Sequence, residues 1–218
     1  FIVPAAILLF SLNFFNRYPF LRGLEDLAVT LRIFGALMIV LGGLWTAFQE
    51  NLKRAFGFSS LTETGFSLLA LSLIPQGGVT WLLLIIPVRA LGFWLWGYTL
   101  TLIETHTGSL TFDALRGFAR RYPVLSFGLL LAQLSIAGLP LLAAFPVKIA
   151  LLTALRGAGS AYFTWSFIGS LGLFLFTLRL LAIFVTPGEE IGSRRWAFNE
   201  KTYEYLPILA AILFLILM

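Results

Sequence analysis

The sequence predicts an all-α polytopic membrane bundle, and three observations carry that prediction. Hydrophobic residues fill 59% of the 218 positions, charged residues only 11%, and the mean hydropathy is +0.94. A soluble domain of this length has too little interior to hide that much apolar surface. The apolar residues also gather into about seven runs divided by short polar connections. Those runs show almost no strand alternation, and the bilayer demands that each span satisfy its own backbone, so the runs read as helices.

In order, the runs are Phe1–Phe15, Thr30–Phe48, Phe56–Leu73, Val79–Ile103, Pro123–Leu155, Ala161–Val185 and Tyr205–Met218. The first has no recognisable charged leader region or cleavage site, so it reads as part of a span, in a register that begins inside a longer protein. The last is short for a crossing. The fifth is too long: its 33 residues would form a helix of ~50 Å against a hydrocarbon layer of ~30 Å. Within it, Pro140 and Pro146 each lack an amide hydrogen and crowd the turn before them. A discontinuous helix is therefore expected near 138–148, with the break between the two prolines and Gly138 at its edge. Freed backbone at that depth is tolerated only where it is buried in protein or lines a wet cavity. The connections are Asn16–Val29, Gln49–Ala55, Ile74–Gly78, Glu104–Tyr122, Arg156–Ser160 and Thr186–Glu204, none long enough for a second domain. Residues 1–218 read as one transmembrane domain.

A formal charge of +5 raises the question of nucleic acid, which the distribution answers. Lys53, Arg54, Arg116, Arg120, Arg121, Arg194, Arg195 and Lys201 lie in the second, fourth and sixth connections; Arg17, Arg22, Arg32 and Arg156 lie in or beside the others. That bias is what insertion topology produces, and it puts the richer side toward the cytoplasm or its equivalent. Nucleic-acid binding is set aside. No cysteine is present, which excludes thiolate-held iron–sulfur or zinc sites in this chain, and the single histidine excludes a bis-histidine haem. No metal-ligand cluster, nucleophile–base pair or dinucleotide fingerprint is visible.

Apart from Arg32, which belongs to the flank of the first connection, four charged residues fall inside runs. Burying each costs ~2.5–3.5 kcal/mol on insertion scales, so the cations need a hydrated interior or buried partners. Lys148 follows the expected break; burial disfavours the charged form of an amine, so a lysine there can hold and release a proton. The plainer alternative is an edge lysine reaching headgroups. Arg89, two residues after Pro87, does not deprotonate and reads either as a fixed charge tuning a wet path or as a cation on carbonyls freed by Pro87. Arg179 reads as a snorkelling residue near the basic side. Glu63 is the one acid clearly within a run, a partner for a cation or a relay member. His106, in the fourth connection, reads as a solvated histidine, and the polar hinge around Lys53 and Arg54 as a short loop between helices.

Three segments together resemble a known family. Gln49-Glu-Asn-Leu-Lys-Arg-Ala-Phe-Gly-Phe-Ser-Ser-Leu-Thr-Glu-Thr-Gly65 is similar to the Q-x-D-x-K-R-x-L-A-Y-S-S-I-x-x-x-G segment of the antiporter-like membrane subunits of respiratory complex I and its relatives. Ser135-Ile-Ala-Gly-Leu-Pro140, with Phe145 and Lys148, resembles the same family's S-L-A-G-I-P-P-x-x-G-F-x-x-K, and Arg89-Ala-Leu-Gly-Phe-Trp-Leu-Trp-Gly97 resembles K-A-L-L-F-x-x-x-G. The resemblance implies a fourteen-helix fold of two inverted five-helix repeats, of which this chain matches the eighth helix onward. It puts Lys148 at the ionisable position of the broken helix, Arg89 at a neighbouring relay position, and Lys53 and Arg54 in a structural signature loop. Departures are Asn51 for aspartate, Glu63 for histidine, Arg89 for lysine, Ala144 and Val147 for glycines, and the added Pro146.

By that resemblance, the chain is expected in the membrane arm of a complex-I-like quinone oxidoreductase, carrying protons through Lys148 and a hydrated polar axis. Flavin, iron–sulfur clusters and quinone are expected on partner subunits, with none in this chain; other antiporter-like and quinone-module subunits and lipids are its expected partners. The expected setting is a bacterial inner membrane or an organellar energy-transducing membrane. A subunit of a multisubunit Na+/H+ antiporter, or a structural subunit that does not pump, are the alternatives.

Overall fold

The computed structural model describes residues 2–187 and 199–217. Its helices are α1 Ile2–Arg17, α2 Glu25–Phe48, α3 Leu52–Ser72, α4 Gly78–Thr107, α5 Phe118–Arg121, α6 Pro123–Ala137, α7 Ala144–Ala158, α8 Ser160–Val185 and α9 Thr202–Leu217. No strand occurs among the described residues. Among the described residues each of the seven apolar runs forms helix, and the fifth is split into α6 and α7. At 24, 30 and 26 residues, α2, α4 and α8 reach ~36, 45 and 39 Å, each long and apolar enough to cross a membrane. The halves α6 and α7, at 15 residues apiece, reach only ~22 Å, so neither crosses by itself.

Three polar connections meet in one layer at one end of the bundle. Leu52 N–H donates to the Leu110 carbonyl, Phe112 N–H to Glu50, Gly117 N–H to Ile183, and Asn199 N–H to Arg121. The described basic residues of the second, fourth and sixth connections therefore share a side, as their charge bias predicts; Arg194 and Arg195 lie outside the described residues.

Within that layer the hinge is shorter than expected. Asn51 caps α3, its side-chain oxygen accepting the Lys53 and Arg54 amides at 2.9 and 3.4 Å, so both basic residues stand in the first turn of a helix and not in a loop. Lys53 pairs with Glu104 at 2.7 Å on the surface. Arg179 also departs from its sequence reading. It turns inward, donates to the Ala47 carbonyl at the end of α2 and lies 5.4 Å from the Phe112 ring. A cation is favoured there because the last carbonyls of a helix are unpartnered and carry its negative dipole end.

Helix α2 packs against both α3 and α8 along small residues. A Cβ on Gly43 would lie 2.0 Å from the Gly169 carbonyl oxygen, and one on Gly172 2.4 Å from that of Gly43. Such backbone approach suits a membrane, where dispersion and close fit, not water exclusion, drive helices together. Two apolar cores result. One gathers Phe93, Trp96, Leu129, Phe176 and Ile208 from α4, α6, α8 and α9. The other gathers Leu8, Phe66, Leu82 and Leu151 from α1, α3, α4 and α7. Glu63, Arg89 and Lys148 lie on α3, α4 and α7, the helices that contribute to both cores.

Candidate functional site

The break is made by a glycine. Gly138 follows the last residue of α6 at φ +82°, its amide donating to Ser135 while the Leu139 amide donates to Leu134, a Schellman ending. Residues 138–143 then run without α-helix, and Leu141 adopts φ +79°, a conformation costing ~1–2 kcal/mol in a residue with a Cβ. Backbone in this stretch is tied down by Ala143 N–H donating to the Leu215 carbonyl of α9 at 3.1 Å. Pro140 lies in the break as expected, but Pro146 does not. It occupies the first turn of α7, where its missing hydrogen is one of four amides with no partner within the helix.

Lys148 stands on the second turn of α7 and is 4% exposed. Its ammonium donates to the Glu63 carboxylate of α3 and to the Ile136 carbonyl, one of the last four of α6. It thus bridges the two half-helices and offsets the negative end of α6. The ring of Phe66 lies 4.3 Å from the same nitrogen. Glu63, 2% exposed, is the centre of the cluster. Its backbone carbonyl accepts from Arg89 Nη1 at 2.9 Å and from the Ser67 hydroxyl at 3.1 Å, and Ser67 Oγ accepts from the same Arg89 nitrogen at 2.6 Å. These bonds carry Arg89 to α3, where the sequence reading had the alternative of carbonyls freed by Pro87. Two cations thus bond one residue, Lys148 at its carboxylate and Arg89 at its backbone carbonyl.

A cavity of about 250 Å³ reaches this cluster between α7, α8 and the break, bounded by Gly138, Pro140, Phe145, Phe167, Ser170 and Lys148 itself. Gly138 is needed there for φ, and a Cβ would also meet Lys148 Cδ at 3.0 Å, so the lysine stem would have to give way slightly. Gly138→Ala is expected to lower stability by ~1–2 kcal/mol through its φ and to shift the lysine stem slightly. Thermal unfolding of the purified variant checks the first part.

The sequence pointed to Lys148, Arg89 and Glu63, and the structure brings all three together. It did not point to Ser67, although Ser67 lies one turn beyond Glu63 on the same face of α3. A second polar cluster was also missed. Helix α4 continues past Ile103 and ends at Gly108, φ +70°, so His106 is helical and faces inward, where the sequence had it solvated in a loop. Its ring stacks on Tyr122 with centroids 4.4 Å apart, and Nε2 lies 3.4 Å from Glu204 Oε1. Beside it Glu200, 8% exposed, accepts the Leu125 amide at 2.8 Å.

Burial raises the Glu200 carboxyl above the ordinary range, with Glu204 adding to the rise and the Leu125 and Val124 amides and His106 opposing it. A folded-state value above the unfolded one means stabilisation that is complete below the unfolded value and is lost as pH rises through the folded one. Glu200→Gln keeps the accepting oxygen and cannot ionise. Its melting temperature is expected to exceed that of the wild type above this window and to match it in acid, as thermal unfolding across pH measures.

Charged side chains beside the break of a discontinuous membrane helix are an arrangement that recurs at the ion sites of membrane transporters. The chain belongs to the NADH:quinone oxidoreductase/Mrp antiporter transmembrane family, whose model matches residues 5–177. It is 28% identical over 192 residues to NADH-quinone oxidoreductase subunit N of Cytophaga hutchinsonii, an alignment covering 87% of this chain and 42% of the relative. The chain thus spans about two-fifths of that relative's length. Its fold superposes on a chain of the archaeal membrane-bound sulfane sulfur reductase with a TM-score of 0.79 at 20% identity, over 88% of this chain and 39% of the other. The Mrp complex of Dietzia sp. gives 0.77 at 14% identity, over 88% and 44%. At these identities the two structures speak for the fold.

Proposed function

We propose that this chain is the proton-handling half of a membrane-arm subunit in a complex-I-like quinone oxidoreductase, with Lys148 and Glu63 as its exchanging pair. The observation that carries the reading is the position of the Lys148 ammonium, shared between a buried carboxylate and the carbonyl end of a broken helix. An ammonium–carboxylate pair at hydrogen-bond distance can pass a proton within itself. A proton arriving at Glu63 leaves two cations, Lys148 and Arg89, around a neutral acid, and their repulsion favours release of the lysine's proton. Arg89 keeps its own charge throughout and acts as the fixed element of the node. Ser67 holds it in place.

The driving energy comes from redox chemistry on partner subunits, which carry the flavin, iron–sulfur clusters and quinone; this chain has no cysteine with which to hold a cluster. Other antiporter-like and quinone-module subunits are its neighbours, and the basic end of the bundle faces the cytoplasm or its equivalent.

Lys148→Arg tests this reading, because arginine preserves the charge and the pairing but not the exchange. In vesicles holding the whole assembly, proton uptake is expected to fall by at least about 10²-fold, the scale of a lost proton-transfer group. Unchanged uptake would make the chain a structural subunit. The likeness to the Mrp complex supports a second reading, a Na+/H+ antiporter subunit. Uptake that requires sodium and persists without quinone reduction would favour it.

A further inference from the structure

Two features of the basic end remain without a role: the first turn of α3 with Arg54, and the inward arginine of α8. Both border a groove made of two adjoining hollows. Its outer part, about 690 Å³, runs between the end of α2 and the start of α3 past Trp45, Gly57, Phe58 and Leu61. Its inner part, about 560 Å³, opens among Arg54, Arg116, Arg179, Glu50 and Asp113. Gln49 and Arg54 line both.

We propose that this groove is a binding site for one anionic glycerophospholipid, with the phosphodiester over Arg54, Arg116 and Arg179 and an acyl chain along Trp45, Gly57, Phe58 and Leu61. Charge complementarity fixes the sign of the headgroup. Three arginines face two carboxylates; among the described residues Arg54 has no ion pair and Asp113 pairs with Arg116 alone, at 3.4 Å. Arg179 spends one N–H on Ala47 and keeps its other donors. Depth fixes the class of ligand. Leu61 stands nine residues along α3 from Leu52, so the groove descends ~13 Å from the helix end into the apolar layer, where a free anion gains nothing and a chain does. Trp45, half exposed near the end of α2, marks the interface. Basic pockets between helices on the cytoplasmic side are where such headgroups settle.

The test is native mass spectrometry of the solubilised assembly, delipidated and offered phosphatidylglycerol, phosphatidylethanolamine or phosphatidylcholine of identical chains. Phosphatidylglycerol is expected to be retained at least about tenfold over phosphatidylcholine, the scale of one or two arginines near an anionic group. Arg54→Gln with Arg116→Gln should erase that preference. Gly57→Leu should lower retention of all three lipids while leaving the melting temperature intact, because a Cβ at Gly57 meets nothing within 4 Å. Equal retention of the three lipids overturns the proposal, as does a preference that survives the arginine changes. Displacement by inorganic phosphate alone, or a protein subunit cross-linked to Gly57→Cys in place of lipid, overturns it too.

Discussion

Lys148→Ala is expected to abolish proton uptake by the assembly and to destabilise the chain, through two separable effects. Removing the ammonium leaves Glu63, 2% exposed, as a buried carboxylate without its partner; breaking such a pair costs ~3–5 kcal/mol. It also uncaps the Ile136 carbonyl. Those losses are structural and appear as a lower melting temperature in detergent. The functional loss is different in kind, and a double variant isolates it. Lys148→Met with Glu63→Gln removes both charges and fills similar volume, so its stability should recover part of the way to wild type, Arg89 keeping its bonds to the Glu63 carbonyl and Ser67 but losing the neighbouring negative charge. Its proton uptake should stay at the level of Lys148→Ala. Recovery of uptake along with stability would mean that the pair only holds the fold.

Gly43→Leu is expected to prevent folding altogether. The new Cβ would lie 2.0 Å from the Gly169 carbonyl oxygen and 2.6 Å from its carbon, both backbone atoms that no rotamer change can move aside. Overpacking in a core costs ~1–3 kcal/mol where side chains can yield, and more where they cannot. Here α2 would have to leave α8. Size-exclusion chromatography of the purified variant should show loss of the monodisperse peak, while Gly57→Leu, facing open space on the next helix, keeps it. A well-folded Gly43→Leu would contradict the close α2–α8 packing.

Much of this architecture is legible in the chain because the bilayer restricts the choices. Apolar runs of this length have to be helices, a 33-residue run cannot be one straight span, and basic connections collect at one end. What misled was local. Prolines drew the break toward Pro146, yet a proline costs nothing in a first turn, and a left-handed glycine ends the helix eight residues earlier. His106 follows the apolar run and so looks solvated, but α4 extends four residues past Ile103 and turns it inward. Arg179 looks like a snorkelling cation because the nearby end of α2 cannot be seen from its own segment. The pairing of Lys148 with Glu63 spans 85 residues. Only charge balance hinted at it, Glu63 being the one acid clearly inside a span.

The most direct measurement is infrared difference spectroscopy on vesicles holding the assembly, comparing the resting state with turnover. Exchange through the pair predicts a protonated-carboxyl band that appears during turnover, vanishes in Glu63→Gln and is lost in Lys148→Arg. A turnover spectrum without that band, or one identical in the two variants and the wild type, would contradict a proton passing between Glu63 and Lys148.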